Sequence, residues 1–79
     1  MSAESAILTR TWSVGRDIRV TLTVPKPQPG RTSYAVIEWS PSMPHRLTEA
    51  QAAQYRAGRD AAIQELARAS GLRIGLVEV

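Results

Sequence analysis

Few side chains in this sequence are of a type that could take part directly in catalysis. The chain has one histidine, His45, one lysine, Lys26, and no cysteine. Nucleophilic catalysis requires an activated serine, cysteine, threonine or lysine beside a general base. His45 lies between Pro44 and Arg46 in a connecting segment, where a histidine is usually solvated. We therefore predict that the protein is not an enzyme.

The acidic residues do not form a pattern typical of a metal site or of a catalytic carboxylate pair. Seven Asp and Glu residues are scattered along the chain, whereas a metal site needs several ligands at close spacing. Asp60 and Glu65 fall in a predicted helix at a spacing that directs them to different sides. Residues 71–75 contain two glycines but no helix follows them, so they do not match a phosphate-binding loop. The sequence predicts no metal and no cofactor.

The basic residues are the clearest indication of a binding function. Nine of the ten basic residues are arginines, and the formal net charge is +3. A guanidinium group binds phosphates and carboxylates through paired hydrogen bonds. Some of these residues fall in or beside a predicted hairpin and others on a predicted helix. The candidate partner-binding surface comprises Arg10, Arg16, Arg19, Lys26, Arg31, Tyr34, Arg56 and Arg59.

The elements that position these residues can be predicted from periodicity. In residues 18–24 every second residue is aliphatic, which predicts a half-buried strand. Residues 7–14 alternate in the same way and Gly15 follows them, so the two segments are predicted to form a hairpin. Residues 34–39 predict a third strand and residues 72–79 a fourth. The proline-rich segment 25–30 predicts a stiff loop between strands two and three.

Residues from about 49 to about 70 are predicted to form a helix. Thr48 and Gln51 match a capping box, and Gly71 fits the left-handed residue that often follows a helix. Gly58 and Arg59 interrupt the apolar stripe. Arg59 either extends its charged end into water or marks a contact with a second chain, whose backbone Gly58 would admit. The stripe comprises Ala52, Tyr55, Ala62, Ile63, Leu66 and Ala69.

These elements predict one α+β domain over residues 1–79 with the order β-β-β-α-β, in which residues 1–6 form a disordered tail. We expect an antiparallel sheet with the long helix packed on one face. The last strand is expected to run parallel to strands one and three, and either to pair beside strand one or to remain at an edge. Trp12 and Trp39 fall on apolar faces and are predicted to lie in the core. The uncovered face is expected to carry Thr9, Thr11, Arg19, Thr21, Thr23, Tyr34, Val36 and either Val77 or Val79.

The composition is that of an ordinary globular domain. Hydrophobic residues make up 43% of the 79 residues, and no apolar run approaches the roughly 20 residues of a membrane span. The first residues do not show the basic and apolar regions of a signal peptide. Together with the lack of cysteine, these features predict a cytoplasmic protein without a membrane partner.

In its length, its lack of cysteine and its lack of a catalytic group of residues, the chain resembles the small inhibitor proteins of phages and mobile elements, including anti-CRISPR proteins. The resemblance covers size and general character and carries over no site residue. It implies a protein that blocks a CRISPR effector by occupying a surface or a nucleic-acid groove. The main expectation is therefore a protein partner. The alternatives are a small basic nucleic-acid-binding module, a small subunit of a larger complex, and a homodimer formed through an uncovered sheet edge.

Overall fold

The computed structural model describes residues 8–77. The tail predicted for residues 1–6, and the predicted strand ends at Ile7 and at residues 78–79, lie outside these residues. The predicted order and the α+β class are confirmed. The elements are β1 (Leu8–Val14), β2 (Ile18–Val24), β3 (Thr32–Ser40), α1 (Glu49–Ser70) and β4 (Arg73–Leu76).

Strands β1 and β2 form the predicted antiparallel hairpin. Their register runs from Leu8 opposite Val24 to Val14 opposite Ile18. Gly15 begins the turn with a φ of 68°, a left-handed conformation that a residue with a Cβ rarely adopts. The alternation places Val20, Leu22 and Val24 on one face, where all three are fully buried. The hairpin therefore supplies much of the apolar sheet surface that forms one side of the core.

The last strand lies at the opposite edge of the sheet from β1. The strand order is β1-β2-β3-β4, and β4 runs parallel to β3, with Thr32 opposite Arg73 and Ala35 opposite Leu76. The predicted parallel direction of the last strand and its position at an edge are confirmed, so the sheet is mixed, whereas the alternative of pairing beside β1 is wrong. The physical reason is the crossover, because a helix that runs back over a sheet commonly returns the chain beside the strand it left.

Both predicted ends of α1 are confirmed. Thr48 Oγ1 accepts a hydrogen bond from the Gln51 backbone N–H at 3.0 Å, and Gln51 Oε1 accepts one from the Thr48 N–H at 3.0 Å. At the other end, Gly71 has a φ of 73° and its N–H donates to the Ala67 carbonyl at 2.8 Å. These bonds satisfy backbone groups that a helix end otherwise leaves unpaired.

The core lies between α1 and one face of the sheet. It consists of Leu22, Val24 and Ala35 from the sheet and Ala62 and Leu66 from the helix. The predicted stripe is correct at its centre, but Ala69 is exposed while Ala67 and Ser70 turn partly inward. Trp12 packs at the margin of this core, and Trp39 stacks on Tyr55 with ring centroids 5.0 Å apart.

Helix α1 follows β1 in the opposite direction and approaches it closely. Gln54 Oε1 accepts a hydrogen bond from the Gly15 N–H at 2.6 Å, near the end of β1. Further along the helix, a Cβ on Gly58 would lie 2.2 Å from Trp12 Cδ1. Gly58 therefore admits a ring of its own chain, and its interpretation as a contact for a second chain's backbone is wrong.

Candidate protein-binding surface

The sheet face that points away from α1, here called the open face, is lined by side chains that are exposed or only partly buried. Strict alternation along each strand produces this face, because successive residues point to opposite sides of a sheet. The expected residues do lie on it, apart from Val79, which is outside the described residues. From β1 to β4 the face carries Thr9, Thr11, Arg19, Thr21, Thr23, Tyr34, Val36, Glu38, Arg73 and Val77.

Three exposed apolar side chains meet on the β3–β4 half of the open face and are called the apolar patch. Tyr34 is 55% exposed, Val36 40% and Val77 47%. Tyr34 and Val36 are two residues apart on β3, and the Val77 N–H donates to the carbonyl of Ala35 between them at 3.1 Å. Single exposed apolar residues are common, but a contiguous group on a flat sheet is typical of a contact surface.

The β1–β2 half of the open face is a regular array of hydroxyl groups. Thr11 Oγ1 lies 3.0 Å from Thr21 Oγ1, and Thr9 Oγ1 lies 3.3 Å from Thr23 Oγ1. β-Branched side chains have few rotamers, and these cross-strand bonds restrict them further. This half of the face therefore presents a polar surface that loses little side-chain entropy when a partner covers it.

Two arginines of the open face, Arg73 beside the apolar patch and Arg19 farther along the sheet beyond Glu38, form no ion pair among residues 8–77. Arg19 lies opposite Ser40 and Arg73 lies opposite Thr32. The ion pairs in the described part of the chain are Arg10 with Glu65 and Arg59 with Asp60, so neither of these two guanidinium groups is engaged in one. Arg73 is not in the candidate set predicted from the sequence. The sequence could have indicated Arg73, because it alternates with the apolar Ile74 along the strand and therefore lies on the same face as Tyr34.

The structure does not bring the predicted basic residues together into one patch. Arg10 projects on the helix side of the sheet and Arg19 on the open face. Arg16 lies in the β1–β2 turn, whereas Lys26 and Arg31 lie at the opposite end of the sheet, around the β2–β3 loop. Of the predicted set, Arg19 and Tyr34 share the open face, and the helical Arg56 and Arg59 lie on the other side of the molecule.

Two of these arginines are held by neighbours within the chain. Arg10 Nε donates to Glu65 Oε1 at 3.2 Å and Arg10 Nη1 donates to the Thr9 carbonyl at 2.9 Å. The Arg59 guanidinium lies 5.6 Å from the centroid of the Tyr55 ring and bonds Asp60 at 3.1 Å. Both ion pairs include an exposed carboxylate, so each contributes at most about 1 kcal/mol to folding.

A shallow cleft of about 420 Å³ lies between the β2–β3 loop and the end of α1. Arg31 and Arg73 both line it, together with Gly30, Gly71 and Leu72. The two guanidinium groups give the cleft a positive character. The sequence did not predict this cleft, because it joins two loops that are about forty residues apart along the chain.

Among residues 8–77, no three histidine, cysteine or acidic side chains gather as they would around a metal ion. No helix in the same part of the chain has the length and apolar character needed to cross a membrane. Comparison with protein-family models, curated proteins and solved structures gives no match to this chain.

Proposed function

We propose that this chain is a non-catalytic binding protein of the cytoplasm that attaches to a protein partner through its open face. The observation that carries the proposal is the apolar patch of Tyr34, Val36 and Val77, which is exposed on the open face of the sheet. Burying such a group stabilises a complex by the hydrophobic effect. Tyrosine is also among the residues enriched where binding energy is concentrated.

The surroundings of the apolar patch define the partner that would fit it. An apolar centre with a polar margin is the usual composition of a protein interface. The margin here is hydroxyl-rich on the side of Thr21 and Thr23, positively charged at Arg73 and negatively charged at Glu38, and Arg19 lies beyond Glu38. We therefore expect the partner to present an apolar projection bordered by carboxylates, which the arginine forks would bind.

A CRISPR effector is the partner class that the resemblance to anti-CRISPR proteins suggests. In this proposal the chain inhibits an effector by covering one of its surfaces. The test is a target-cleavage assay with purified effector complexes and increasing amounts of the protein. Loss of cleavage at stoichiometric amounts supports the proposal. Unchanged cleavage by all effectors of the native host would exclude this partner class without excluding another protein partner.

The role of the open face is tested with a matched pair of variants. Val36→Glu introduces a charge in the apolar patch, whereas Met43→Glu does the same at a residue that is 64% exposed in a connecting segment outside the sheet. Affinity for a partner recovered from the native host should fall about tenfold or more for Val36→Glu. It should remain within about twofold of the original for Met43→Glu. Equal affinities for both variants would show that the interface does not lie on the open face.

The positive cleft supports a nucleic-acid-binding module as the second candidate function. Arg31 and Arg73 line the cleft, and Lys26 lies in the adjoining β2–β3 loop. Binding through phosphates releases counterions, so affinity for random DNA or RNA should fall steeply as salt is raised. The Arg31→Ala variant should reduce this slope. Absence of binding at low salt would remove this candidate and leave the protein partner.

A further inference from the structure

Strand β4 has a free outer edge whose hydrogen-bonding groups can be assigned. The Val77 N–H donates to the Ala35 carbonyl, and in a parallel ladder alternate residues direct both backbone groups to the same neighbour. Gly75 and Val77 therefore direct their groups toward β3, while Ile74 and Leu76 direct theirs outward. Within residues 8–77, β4 pairs with β3 alone. The edge thus presents two N–H and two C=O groups in a regular row.

The opposite edge of the sheet is obstructed. Arg10 folds back along β1, and its Nη1 donates to the Thr9 carbonyl at 2.9 Å. Glu65 of α1 holds the same guanidinium at 3.2 Å. A charged side chain laid along an edge strand hinders pairing with another chain. The two edges of the sheet are therefore not equivalent, and β4 is the edge at which an additional strand can form hydrogen bonds.

We propose that a second copy of this chain pairs antiparallel with β4 about a two-fold axis at Gly75. This register pairs the outward N–H and C=O groups of Ile74 with those of the partner's Leu76, which forms two hydrogen bonds. The two-fold axis repeats this pair of bonds between Leu76 and the partner's Ile74, so that four hydrogen bonds form in all. Gly75 then faces the partner's Gly75 in the close, non-hydrogen-bonded position, where the absence of a Cβ lets the two backbones approach.

The side chains around this axis are apolar on both faces of the sheet. On the helix side, the partly buried Ile74 and Leu76 would pack against the partner's Leu76 and Ile74. On the open face, the Tyr34 ring leans over Gly75, since a Cβ placed there would lie 3.1 Å from Tyr34 Cε1. Pairing brings both tyrosine rings to the axis, where aromatic side chains can contact each other.

The same register places Arg73 opposite the partner's Val77. A charge at residue 77 should therefore be sensed across the interface, and its sign should decide the effect. This inference goes beyond the proposed function and does not depend on it, because it concerns the sheet edge and a second copy of the chain. If both hold, the two open faces would join into one continuous surface of eight strands.

The first test compares Val77→Arg with Val77→Glu by sedimentation velocity from micromolar to millimolar concentrations. Residue 77 is 47% exposed, so both variants should fold like the original chain. We expect a concentration-dependent dimer that Val77→Arg weakens about tenfold, through two arginine pairs, and that Val77→Glu retains or strengthens. The double variant Val77→Arg with Arg73→Glu should restore the dimer. Met43→Arg is the matched control and should leave it unchanged.

The second test locates the interface by amide hydrogen exchange. The Ile74 and Leu76 N–H groups should become protected as concentration rises, whereas protection of Gly75 should change little because its N–H already faces β3. A chain that stays monomeric at millimolar concentration overturns the proposal. A dimer that responds equally to both charges at residue 77, or that leaves these two amides unprotected, also overturns it. Partner binding by Val36→Glu is measured separately, so failure of either proposal is recognised independently.

Discussion

At the scale of single residues, Ser33 shows how one buried hydroxyl group connects a loop to the sheet. Ser33 has no exposed surface, and its Oγ accepts a hydrogen bond from the Gln28 N–H at 2.7 Å. This bond satisfies a partly buried donor in the proline-rich segment, whose prolines have no N–H of their own. Ser33 therefore holds the β2–β3 loop against the start of β3.

We predict that Ser33→Ala destabilises the domain by about 1–2 kcal/mol, because the Gln28 N–H loses its acceptor while it remains partly buried. Urea unfolding followed by circular dichroism measures the change in the free energy of unfolding. The control is Ser13→Ala on the open face, which should alter this free energy by less than about 0.5 kcal/mol. An equal loss in both variants would show that the bond does not contribute.

The sequence predicted some residue-scale features well and missed others for a physical reason. The cap at Thr48 and the left-handed Gly71 are local motifs, complete within a few residues, and both were predicted. Ser33 was not, because the predicted strand began at residue 34 and nothing local indicates that a hydroxyl will meet the backbone of Gln28. The ion pair of Arg10 was not predicted either, because only the fold brings Glu65 within 3.2 Å of its guanidinium.

At the scale of secondary-structure elements, the packing of α1 on β1 depends on the contact between Gly58 and Trp12. A Cβ on Gly58 would lie 2.2 Å from Trp12 Cδ1, far inside van der Waals contact. Glycine lowers intrinsic helix stability by about 1 kcal/mol relative to alanine. The close approach of the indole ring offsets this cost, because it lets the helix lie nearer to the sheet.

We predict that Gly58→Ala lowers the free energy of unfolding by about 1–3 kcal/mol, since overpacking exceeds the gain in helix propensity. The effect of Gly58→Ala on the free energy of unfolding should change from destabilising to stabilising when the Trp12 indole ring is absent. In a Trp12→Leu background, Gly58→Ala should stabilise the domain by up to about 1 kcal/mol. Thermal unfolding of the original chain, the two single variants and the double variant completes a double-mutant cycle, which measures the coupling energy between residues 58 and 12. A stabilising effect of Gly58→Ala in the original chain would contradict the packing argument.

Element identity was predictable here, whereas the position of β4 was not. The hairpin and the helix have periods of two and 3.6 residues over many positions, so neighbouring residues reinforce the prediction. Strand β4 spans Arg73–Leu76, and so short a segment does not indicate which strand it joins. Its pairing with β3 depends on the path of α1 over the sheet, which is a property of the packed molecule.

At the scale of the whole molecule, the open face could be predicted and the basic patch could not. Alternation assigns every strand residue to a side, so Tyr34 and Val36 fall on the uncovered side whatever the strand order. The same rule places Arg10 and Arg19 on opposite sides, which argues against one patch that contains both. Arg73 joins the margin of the apolar patch only because β4 lies beside β3.

Small size connects stability to association. A domain of this length buries only about 60% of the surface of its unfolded chain, so its own stability is modest. If two copies pair along β4, association adds to that stability by mass action. A tenfold rise in protein concentration changes the free energy of the dimer by about 1.4 kcal/mol, or about 0.7 kcal/mol for each copy.

We therefore predict that the Tm rises by about 3–6 °C for each tenfold increase in concentration once dimers predominate, since about 1 kcal/mol shifts the Tm of a domain this small by about 4–8 °C. Differential scanning calorimetry over two decades of concentration measures the slope. Val77→Arg should need about tenfold more protein to reach the same Tm, and it should match the original chain at the lowest concentration, because residue 77 is exposed in the monomer. If Val77→Arg and the original chain show the same Tm at every concentration, the association lies at another surface, and a flat dependence in the original chain would show that β4 remains unpaired.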